Sequence, residues 1–340
     1  MTIKASVIIP THNRPDSLRQ TVASLKRQSL PSSEYELIVV DDGSRPAVMM
    51  PTDTTGPACK LVRLEGLERS AARNAGASAA SGNLLIFVDD DMRVEAGFVA
   101  AHLKAQHDWP GALVVGAIRL DNNGARGPFR DFRERIESNS VPKMRGLVEL
   151  PNFCAAGNFS IPREAFEALR GFDVKLVSGE DQDLAFRHTA NAALIAYAPD
   201  ARALHDDSAV DIRGYCKRSE WGMAHIVQFI ALYPEWPANA ERAAVNGPVR
   251  FAREPLSRTI SKLVKLGLAT KPSVSLLFAL SSLLEWTAPN SVLLTRCYKL
   301  LLGVHLFRGY RAGFAKEHRD STVLKWPIRD IHPASGATKG

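Results

Sequence analysis

Two runs of aspartates are the feature of this 340-residue chain that most clearly indicates chemistry. Asp41 and Asp42 are adjacent, and Asp89, Asp90 and Asp91 form a triplet. Because neighbouring carboxylates repel each other, a fold keeps such runs where a cation or hydrogen-bond donors offset the repulsion. Oxygen ligands in an Asp-x-Asp arrangement suit Mg²⁺ or Mn²⁺, and such sites commonly combine one or two protein carboxylates with substrate phosphates. The runs therefore indicate a metal-bound phosphate ester, with a solvated charged loop as the alternative.

Both aspartate runs follow apolar segments that are typical of buried strands. Residues 36–40 and 84–88 are such segments, and both lead directly into aspartates. Strands are also predicted at residues 6–9, where Pro10 ends the run, and at 60–64, with helices at 15–28 and 70–80. This alternation predicts a doubly wound parallel sheet, which binds ligands at the carboxyl ends of its strands.

The middle of the chain contains a predicted loop followed by a further strand and helices. Residues 121–155 are rich in Gly, Pro, Asn and Arg, which favours a loop or mobile segment. A strand is predicted at 158–161, a helix at 163–169, and another helix that opens at Gly179. The acidic sequence Glu180-Asp181-Gln182-Asp183 lies in the first turn of that last helix.

The last third of the chain differs from the rest in its charge. The net charge is +7, and residues 221–340 hold sixteen basic and seven acidic residues. Helices are predicted at 273–286 and 291–308, and the proline between them rules out a clean membrane span. Amphipathic helices with a basic rim suit an anionic lipid surface. We therefore expect either peripheral attachment to a membrane or a helical cap on the rest of the protein.

Several other classes of protein lack their motifs in this chain. There is no Gly-x-x-x-x-Gly-Lys loop, no Gly-x-Gly-x-x-Gly after the first strand, and no Gly-x-Ser-x-Gly elbow. The four cysteines form no Cys-x-x-Cys pair, so we expect reduced thiols. The first apolar run is too short for a secretory signal, so we expect a cytoplasmic protein that begins at Met1.

Five short motifs, in order over roughly residues 4–210, resemble family 2 glycosyltransferases of the GT-A fold. They are Ser6-Val7-Ile8-Ile9-Pro10-Thr11-His12-Asn13-Arg14, Val39-Val40-Asp41-Asp42-Gly43-Ser44, Ala72-Arg73-Asn74-Ala75-Gly76, Phe87-Val88-Asp89-Asp90-Asp91 and Gly179-Glu180-Asp181-Gln182-Asp183-Leu184. The resemblance implies a GT-A type, doubly wound, mixed but mostly parallel sheet with a helical carboxy-terminal extension. It predicts a catalytic domain at 1–215, with a nucleotide-sugar half at 1–120 and an acceptor half at 121–215. Residues 216–340 would form the basic helical region.

The resemblance also implies a donor site that binds a nucleotide diphosphate sugar together with Mn²⁺ or Mg²⁺. Its residues would be Pro10, Thr11, His12, Asn13, Arg14, Asp42, Arg73, Asp89 and Asp90. Asp42 would meet the base and Asp89 the ribose, whereas the role of Asp90 is open. Arg69 could replace Arg73 in its role. Asp91 would bind the metal, and His205 is a second candidate ligand, with a structural histidine as the alternative.

On the acceptor side, the resemblance implies inverting transfer in which Asp181 is the base and Glu180 touches the acceptor. A hydroxyl that attacks a sugar must lose its proton, and a carboxylate base can take it. The alternative is that these acidic residues only stabilise the amino terminus of a helix through its dipole. Gly157, Asn158 and Asp183 would line the acceptor. The family's Gln-x-x-Arg-Trp signature is missing near Trp221, which favours addition of one or a few sugars.

The expected partners follow from the same resemblance. The donor would be a UDP-sugar, with dTDP- and GDP-sugars as alternatives, and the acceptor would be a glycan or lipid-linked molecule in cell-surface glycan synthesis. An anionic membrane surface is a further expected partner at the inner face of the cell membrane, and nucleic acid is not expected. A catalytically silent scaffold with the same fold is the competing interpretation.

Overall fold

The computed structural model describes residues 2–49, 56–121, 126–138, 146–148, 155–207, 209–251 and 253–320. Its strands are β1 (Ala5–Thr11), β2 (Tyr35–Asp42), β3 (Ala58–Leu64), β4 (Leu84–Val88), β5 (Met92–Val94), β6 (Leu113–Leu120), β7 (Gly146–Val148), β8 (Asn158–Pro162) and β9 (Ile195–His205). Its helices are α1 (Pro15–Leu25), α2 (Glu68–Ala79), α3 (Phe98–Asp108), α4 (Pro128–Ser138), α5 (Arg163–Ala168), α6 (Glu180–Ala190), α7 (Ile212–Leu232), α8 (Pro237–Asn246), α9 (Leu256–Leu268), α10 (Lys271–Thr287) and α11 (Val292–Asp320).

The described strands form one mixed sheet in the order β3-β2-β1-β4-β8-β6-β9-β5, and β7 pairs with β9 at one side. Strands β3, β2, β1 and β4 are parallel, whereas β8 lies antiparallel between β4 and β6. The parallel ladders are the longer ones, so the predicted mixed, mostly parallel sheet is confirmed. The carboxyl ends of β1, β2 and β4 lie side by side, which brings both aspartate runs to one edge.

The central strands match their apolar sequences, except that β1 and β2 are both longer than predicted and β2 includes Asp41 and Asp42. All eight residues of β2 are buried, as are all five of β4. Pro10 does not end β1, which continues to Thr11 in register with β2. Pairing of β1 with β4 stops at Ile8, so at Pro10 the strand has a neighbour on one side only. Proline is tolerated in a strand at such a position.

The predicted loop at 121–155 is wrong in part, because the described residues include helix α4 and strand β7. Helix α4 buries Phe129 and Phe132 against Tyr298 of α11, with ring centroids 5.5 and 5.1 Å from the tyrosine. The many charged residues of α4 made the segment look like a loop by composition, although one side of the helix is apolar. The remainder of that prediction, at residues 122–125, 139–145 and 149–154, lies outside the described residues.

The carboxy-terminal region consists of helices, and α7 runs across the predicted boundary at residue 215. The two helices predicted there are confirmed as α10 and α11, and α11 is longer than predicted. Gly309 and Gly313 of α11 face the backbone carbonyls of Glu220 and Ala224 in α7, so the two helices approach closely. No single described helix has the length and apolar character to span a membrane, although the pair α9 and α10, bent by 96°, passes that test jointly.

Candidate functional site

A buried arginine connects the two acidic motifs at the carboxyl edge of the sheet. Arg73 of α2 is 1% exposed and donates hydrogen bonds to Asp89 at 2.7 Å and to Glu180 at 2.8 Å. Burial alone would lower the pKa of Arg73, but the charges of Asp89 and Glu180 outweigh it and raise that pKa. Arg69, one helical turn earlier, is half exposed and 3.7 Å from Glu180. Arg73 is therefore buried behind Asp89, and Arg69 is the accessible member of the pair; the predicted role of Arg73 near a nucleotide stays a prediction.

The carboxylate of Asp90 connects the segment after β4 to the end of β1 and the loop that follows it, through hydrogen bonds. It is 5% exposed, accepts a hydrogen bond from the Thr11 hydroxyl at 2.6 Å, and is 3.3 Å from Arg14. Burial raises the pKa of Asp90 to about 6, although Thr11 and Arg14 favour its ionised form. These contacts give Asp90 and Thr11 a role in holding the site together, and they leave little of either side chain for a ligand.

Asp91 and His205 form the part of the site whose chemistry suits a divalent metal. His205 Nε2 and Arg14 Nη1 lie 3.4 and 2.8 Å from Asp91 Oδ2. Burial would raise the pKa of Asp91, but His205 and Arg14 outweigh it and hold that pKa below its ordinary value. Asp91 Oδ1 is buried and has no hydrogen-bond partner among the described residues.

That orphaned oxygen and the adjacent imidazole fit a divalent cation. No group of three or more potential ligands occurs in the described part of the chain. Sites of this type commonly complete their coordination with water and substrate phosphates. Asp91 and His205 are therefore compatible with a metal that is held jointly by protein and substrate.

Asp181 lies in the first turn of helix α6, next to Glu180, and faces the loop before β8. The backbone amide of Ala156 donates to its carboxylate at 3.3 Å, and that of Gln182 donates at 2.8 Å. Burial and the neighbouring charge of Glu180 raise the pKa of Asp181 to about 7, although Arg73 opposes the shift. A carboxyl group with such a pKa can exchange a proton near neutral pH, which is the property that a general base needs.

The loop after β1 presents exposed polar side chains beside the end of β2. The His12 ring lies 2.7 Å from the carbonyl oxygen of Asp42, and Asn13 adopts a positive φ of 55° that aims its side chain at the amide of Arg45. The two carboxylate oxygens of Asp42 accept hydrogen bonds from the amides of Leu67 and Glu68. The predicted contacts of His12, Asn13 and Asp42 with a nucleotide stay predictions.

Gly157 lies where the chain passes close to Asp89. A Cβ atom at this position would stand 2.9 Å from Asp89 Oδ2 and 3.0 Å from Met92 Cε. Any larger residue would therefore push against a carboxylate of the site. The predicted place of Gly157 at the site agrees with this close approach, and its contact with an acceptor stays a prediction.

Two predicted acceptor-side residues, Asn158 and Asp183, do not face the site. Asn158 is fully buried, where its amide nitrogen donates to the carbonyl oxygens of Ala117 and Ala201. Asp183 is 2% exposed and accepts hydrogen bonds from Arg187 and from the Tyr233 hydroxyl at 2.7 Å. Because their polar atoms are engaged inside the protein, both side chains stabilise the fold and cannot line an acceptor in this structure.

Arg242 of α8 is a site residue that no local motif indicated. Its guanidinium lies 3.2 Å from the side-chain oxygen of Gln182, the residue after Asp181. Burial lowers the pKa of Arg242, and the charge of Asp181 acts in the opposite direction. The basic composition of the last third was the only sequence signal for such a residue. The carboxy-terminal region thus contributes a cation to the surroundings of the candidate base.

Comparison with known proteins identifies the class to which this fold and site belong. The model of the family described as glycosyl transferase family 2 matches residues 6–170. That region contains β1, the aspartate runs and Arg73. Residues 6–170 therefore match glycosyl transferase family 2, and the resemblance seen in the motifs is confirmed.

Two curated relatives and one solved structure are similar to this chain. Glycosyltransferase AglE of Haloferax volcanii is 25% identical over 206 residues, which are 59% of this chain and 66% of that protein. The O-antigen biosynthesis protein RfbC of Myxococcus xanthus is 28% identical over 228 residues, which are 61% of this chain and 18% of that protein. The chain therefore spans less than two thirds of the length of either relative.

The solved structure supports the fold. A mannosyltransferase from Pyrobaculum calidifontis, PcManGT, in complex with GDP-Man and Mn²⁺, superimposes with a TM-score of 0.58 at 20% identity. The match covers 92% of this chain and 88% of that one. At this level of identity the likeness shows the GT-A fold and leaves the substrate open. The predicted GT-A fold class is thereby confirmed.

Proposed function

We propose that this protein is an inverting glycosyltransferase that transfers a sugar from a nucleotide diphosphate sugar to an acceptor hydroxyl. One observation carries the proposal. Arg73 holds Asp89, on the predicted donor side, and Glu180, beside the predicted base Asp181, in one hydrogen-bonded group. A donor bound near Asp89 would thus present its sugar to a hydroxyl that Asp181 deprotonates.

The proposed donor site uses residues at the carboxyl edge of the sheet. Asp91 and His205 would hold Mn²⁺ or Mg²⁺, which stabilises the negative charge that develops on a departing diphosphate. PcManGT was solved with GDP-Man and Mn²⁺, which supports a donor of this class and a divalent metal. We propose a UDP-sugar first, with dTDP- and GDP-sugars as alternatives. The resemblance to RfbC supports an acceptor from cell-surface glycan synthesis.

The role of Asp181 is tested by Asp181→Asn, which keeps the size of the side chain but cannot accept the proton. We expect transfer to fall by roughly 10²- to 10⁴-fold, the range typical of a lost general base. Stabilisation of the protein by a nucleotide with Mn²⁺ should remain, because Asp181 lies outside the predicted donor site. Wild-type turnover by Asp181→Asn would exclude this residue as the base.

The donor is identified by the melting temperature of the protein with UDP, dTDP, GDP and CDP, each with and without Mn²⁺. A ligand that binds only the folded state raises the melting temperature. Stabilisation by one nucleotide only in the presence of Mn²⁺ supports the proposed site and names the donor class. A catalytically silent scaffold would be indicated if a nucleotide bound but no transfer product formed with any glycan or lipid acceptor.

We also propose that the protein attaches to the inner face of the cell membrane from the cytoplasm. Helices α9 and α10 expose large apolar side chains, among them Leu256 at 73%, Leu276 at 71% and Trp286 at 83%. The basic excess of this region complements anionic lipid. Flotation with anionic liposomes at low and high salt tests the proposal, since no association in either condition would remove it.

A further inference from the structure

The carboxy-terminal region contains an apolar cavity of about 530 Å³ between the segment after α8, helix α9 and helix α11. This volume lies within the usual range for a small-molecule site. The apolar side chains on its wall include Val249, Phe251, Leu263, Leu266, Phe307 and Phe314. Such a lining favours a hydrocarbon ligand over a polar one, because burying an unpaired polar group is costly.

The cavity opens onto an apolar surface of the protein. Phe251 is 71% exposed, and Leu263 and Leu266 are 45% and 44% exposed, although all three line the cavity. Leu256 and Ile260 precede Leu263 at helical spacing along α9 and are 73% and 51% exposed. A contiguous exposed apolar face of this kind marks a contact with lipid or with another protein. A hydrocarbon chain could therefore enter the cavity directly from a lipid phase.

The position of α8 brings this cavity close to the candidate catalytic residues. Arg242 of α8 contacts Gln182, next to Asp181, and Asn246 at the end of the same helix lines the cavity. Four residues along a helix span about 6 Å. One turn of α8 therefore connects the wall of the cavity to a residue that contacts the neighbour of Asp181.

Helix α7 contacts both the cavity wall and the start of α6. Tyr310, which lines the cavity, packs against Val227 and Ile230 of α7. Phe229 of the same helix packs where Gly179 begins α6, and a Cβ on Gly179 would stand 3.1 Å from the Cβ of Phe229. Helices α7 and α8 thus each contact both the wall of the cavity and the start of α6, which carries Asp181.

Arg311 places a positive charge at the cavity, and Lys262 stabilises the wall before α9. Arg311 lines it, is exposed, and stacks over the Phe307 ring at 5.6 Å. The wall before α9 is held by Lys262, which donates to the carbonyl oxygen of Pro248 at 2.9 Å and forms a buried ion pair with Glu254. A positive charge beside an apolar cavity matches an amphiphile that has an anionic headgroup.

We propose that this cavity binds the hydrocarbon chain of a lipid-linked acceptor, with its phosphate headgroup at Arg311. The inference rests on the proposed glycosyl transfer and specifies its acceptor class as a phosphate ester of an isoprenyl or other long-chain alcohol that carries the accepting hydroxyl. The chain lies in the cavity, and the short distance along α8 brings the hydroxyl-bearing end towards Asp181.

Calorimetric titration of the full chain tests the cavity with farnesyl phosphate, farnesol and inorganic phosphate, all below micelle-forming concentrations. Ala315→Trp places an indole in the cavity from an exposed position on α11, so we expect the variant to fold. Ala312→Trp is the matched control, because Ala312 is exposed on the same helix and does not line the cavity. We expect farnesyl phosphate to bind the wild-type chain and the control equally. Binding to Ala315→Trp should be at least about tenfold weaker, because the indole displaces the chain from its contacts.

The variant Arg311→Gln distinguishes binding of the phosphate headgroup from binding of the hydrocarbon chain. Farnesyl phosphate should lose affinity in this variant while farnesol keeps its own, and inorganic phosphate alone should bind neither protein. Equal weakening by both tryptophan variants would indicate adsorption to the general surface and would overturn the proposal, as would a wild-type chain that does not bind farnesyl phosphate. Loss of a wild-type dimer in Ala315→Trp, without lipid binding, would assign the cavity to a second copy of the chain.

Failure of the further inference and failure of the proposed function give different results. Nucleotide stabilisation in the presence of Mn²⁺ reports on the donor site and does not involve the cavity. A protein that binds a nucleotide with Mn²⁺ but not farnesyl phosphate keeps the proposed function and loses the lipid acceptor. A protein that shows neither response and forms no transfer product loses both.

Discussion

The guanidinium of Arg73 donates a 2.8 Å hydrogen bond to Glu180, although the two residues are 107 positions apart in the chain. Its other terminal nitrogen bonds Asp89, so one cation neutralises carboxylates from two motifs. Removal of one partner from a buried ion pair leaves an uncompensated charge, which is far more costly than loss of an exposed pair. Arg73 therefore connects the carboxyl end of β4, where we propose the donor binds, to the helix that carries the candidate base.

Arg73→Met should lower the free energy of unfolding by about 3–5 kcal/mol, the range typical of a broken buried ion pair. Arg69→Met is the matched control. Arg69 is half exposed, and it lies 3.7 Å from the Glu180 carboxylate, farther than Arg73 does. Because the Arg69 guanidinium is half exposed and Glu180 keeps its bond to Arg73, we expect Arg69→Met to cost only about 0–1 kcal/mol, as for an exposed pair. Urea denaturation of both variants measures the difference, and equal stabilities would contradict the assigned role of Arg73.

The raised pKa of Asp181 predicts how stability and activity depend on pH. The folded-state pKa of about 7 lies above the ordinary value of 3.8, so the folded protein binds more protons than the unfolded chain between these values. Stability should therefore fall as pH rises from about 4 to 7, and Asp181→Asn should remove that part of the slope. If Asp181 is the base, the transfer rate should rise as pH passes through about 7. Denaturation and rate profiles against pH measure both effects.

Arg242 offers a second test of the same titration. Its positive charge favours the ionised form of Asp181, so Arg242→Gln should move the rate profile to higher pH. Arg258→Gln is the control, because Arg258 pairs with Glu241 on the exposed surface. An unchanged profile in Arg242→Gln would show that α8 does not influence the base.

The sequence predicted the elements of this fold best where burial and local pattern agree. Strand β4 and residues 37–40 of β2 are apolar throughout, so the positions of both strands and of the aspartates at their carboxyl ends were predictable. Which of Arg69 and Arg73 is buried was not predictable, because both lie on α2 and only the packing of other elements distinguishes them. Asn158 and Asp183 were assigned to an acceptor surface by motif, whereas their burial and hydrogen-bond partners depend on strands and helices distant in the chain.

The candidate metal site predicts a specific loss in Asp91→Ala. Asp91 Oδ1 has no partner among the described residues, so a cation at this position would find a ready ligand. The variant should lose the Mn²⁺-dependent part of nucleotide stabilisation in a thermal shift experiment. Asp16→Ala is the control, because its side chain is 83% exposed and pairs with Arg19 on α1. Full Mn²⁺ dependence in Asp91→Ala would place the metal elsewhere.

The close approach of α11 to α7 predicts opposite effects for two glycine-to-alanine changes. A Cβ on Gly309 would overlap the carbonyl oxygen of Glu220, whereas a Cβ on Gly222 would meet no atom within 4 Å. Gly222→Ala should raise the free energy of unfolding by about 0.5–1 kcal/mol, because alanine loses less backbone entropy in a helix. Gly309→Ala should lower it by about 1–3 kcal/mol, since the helices must separate to admit the methyl group. Chemical denaturation measures both changes. Stabilisation by both substitutions would show that the helices are free to move apart, and the shared wall between the cavity and α6 would then lose its support.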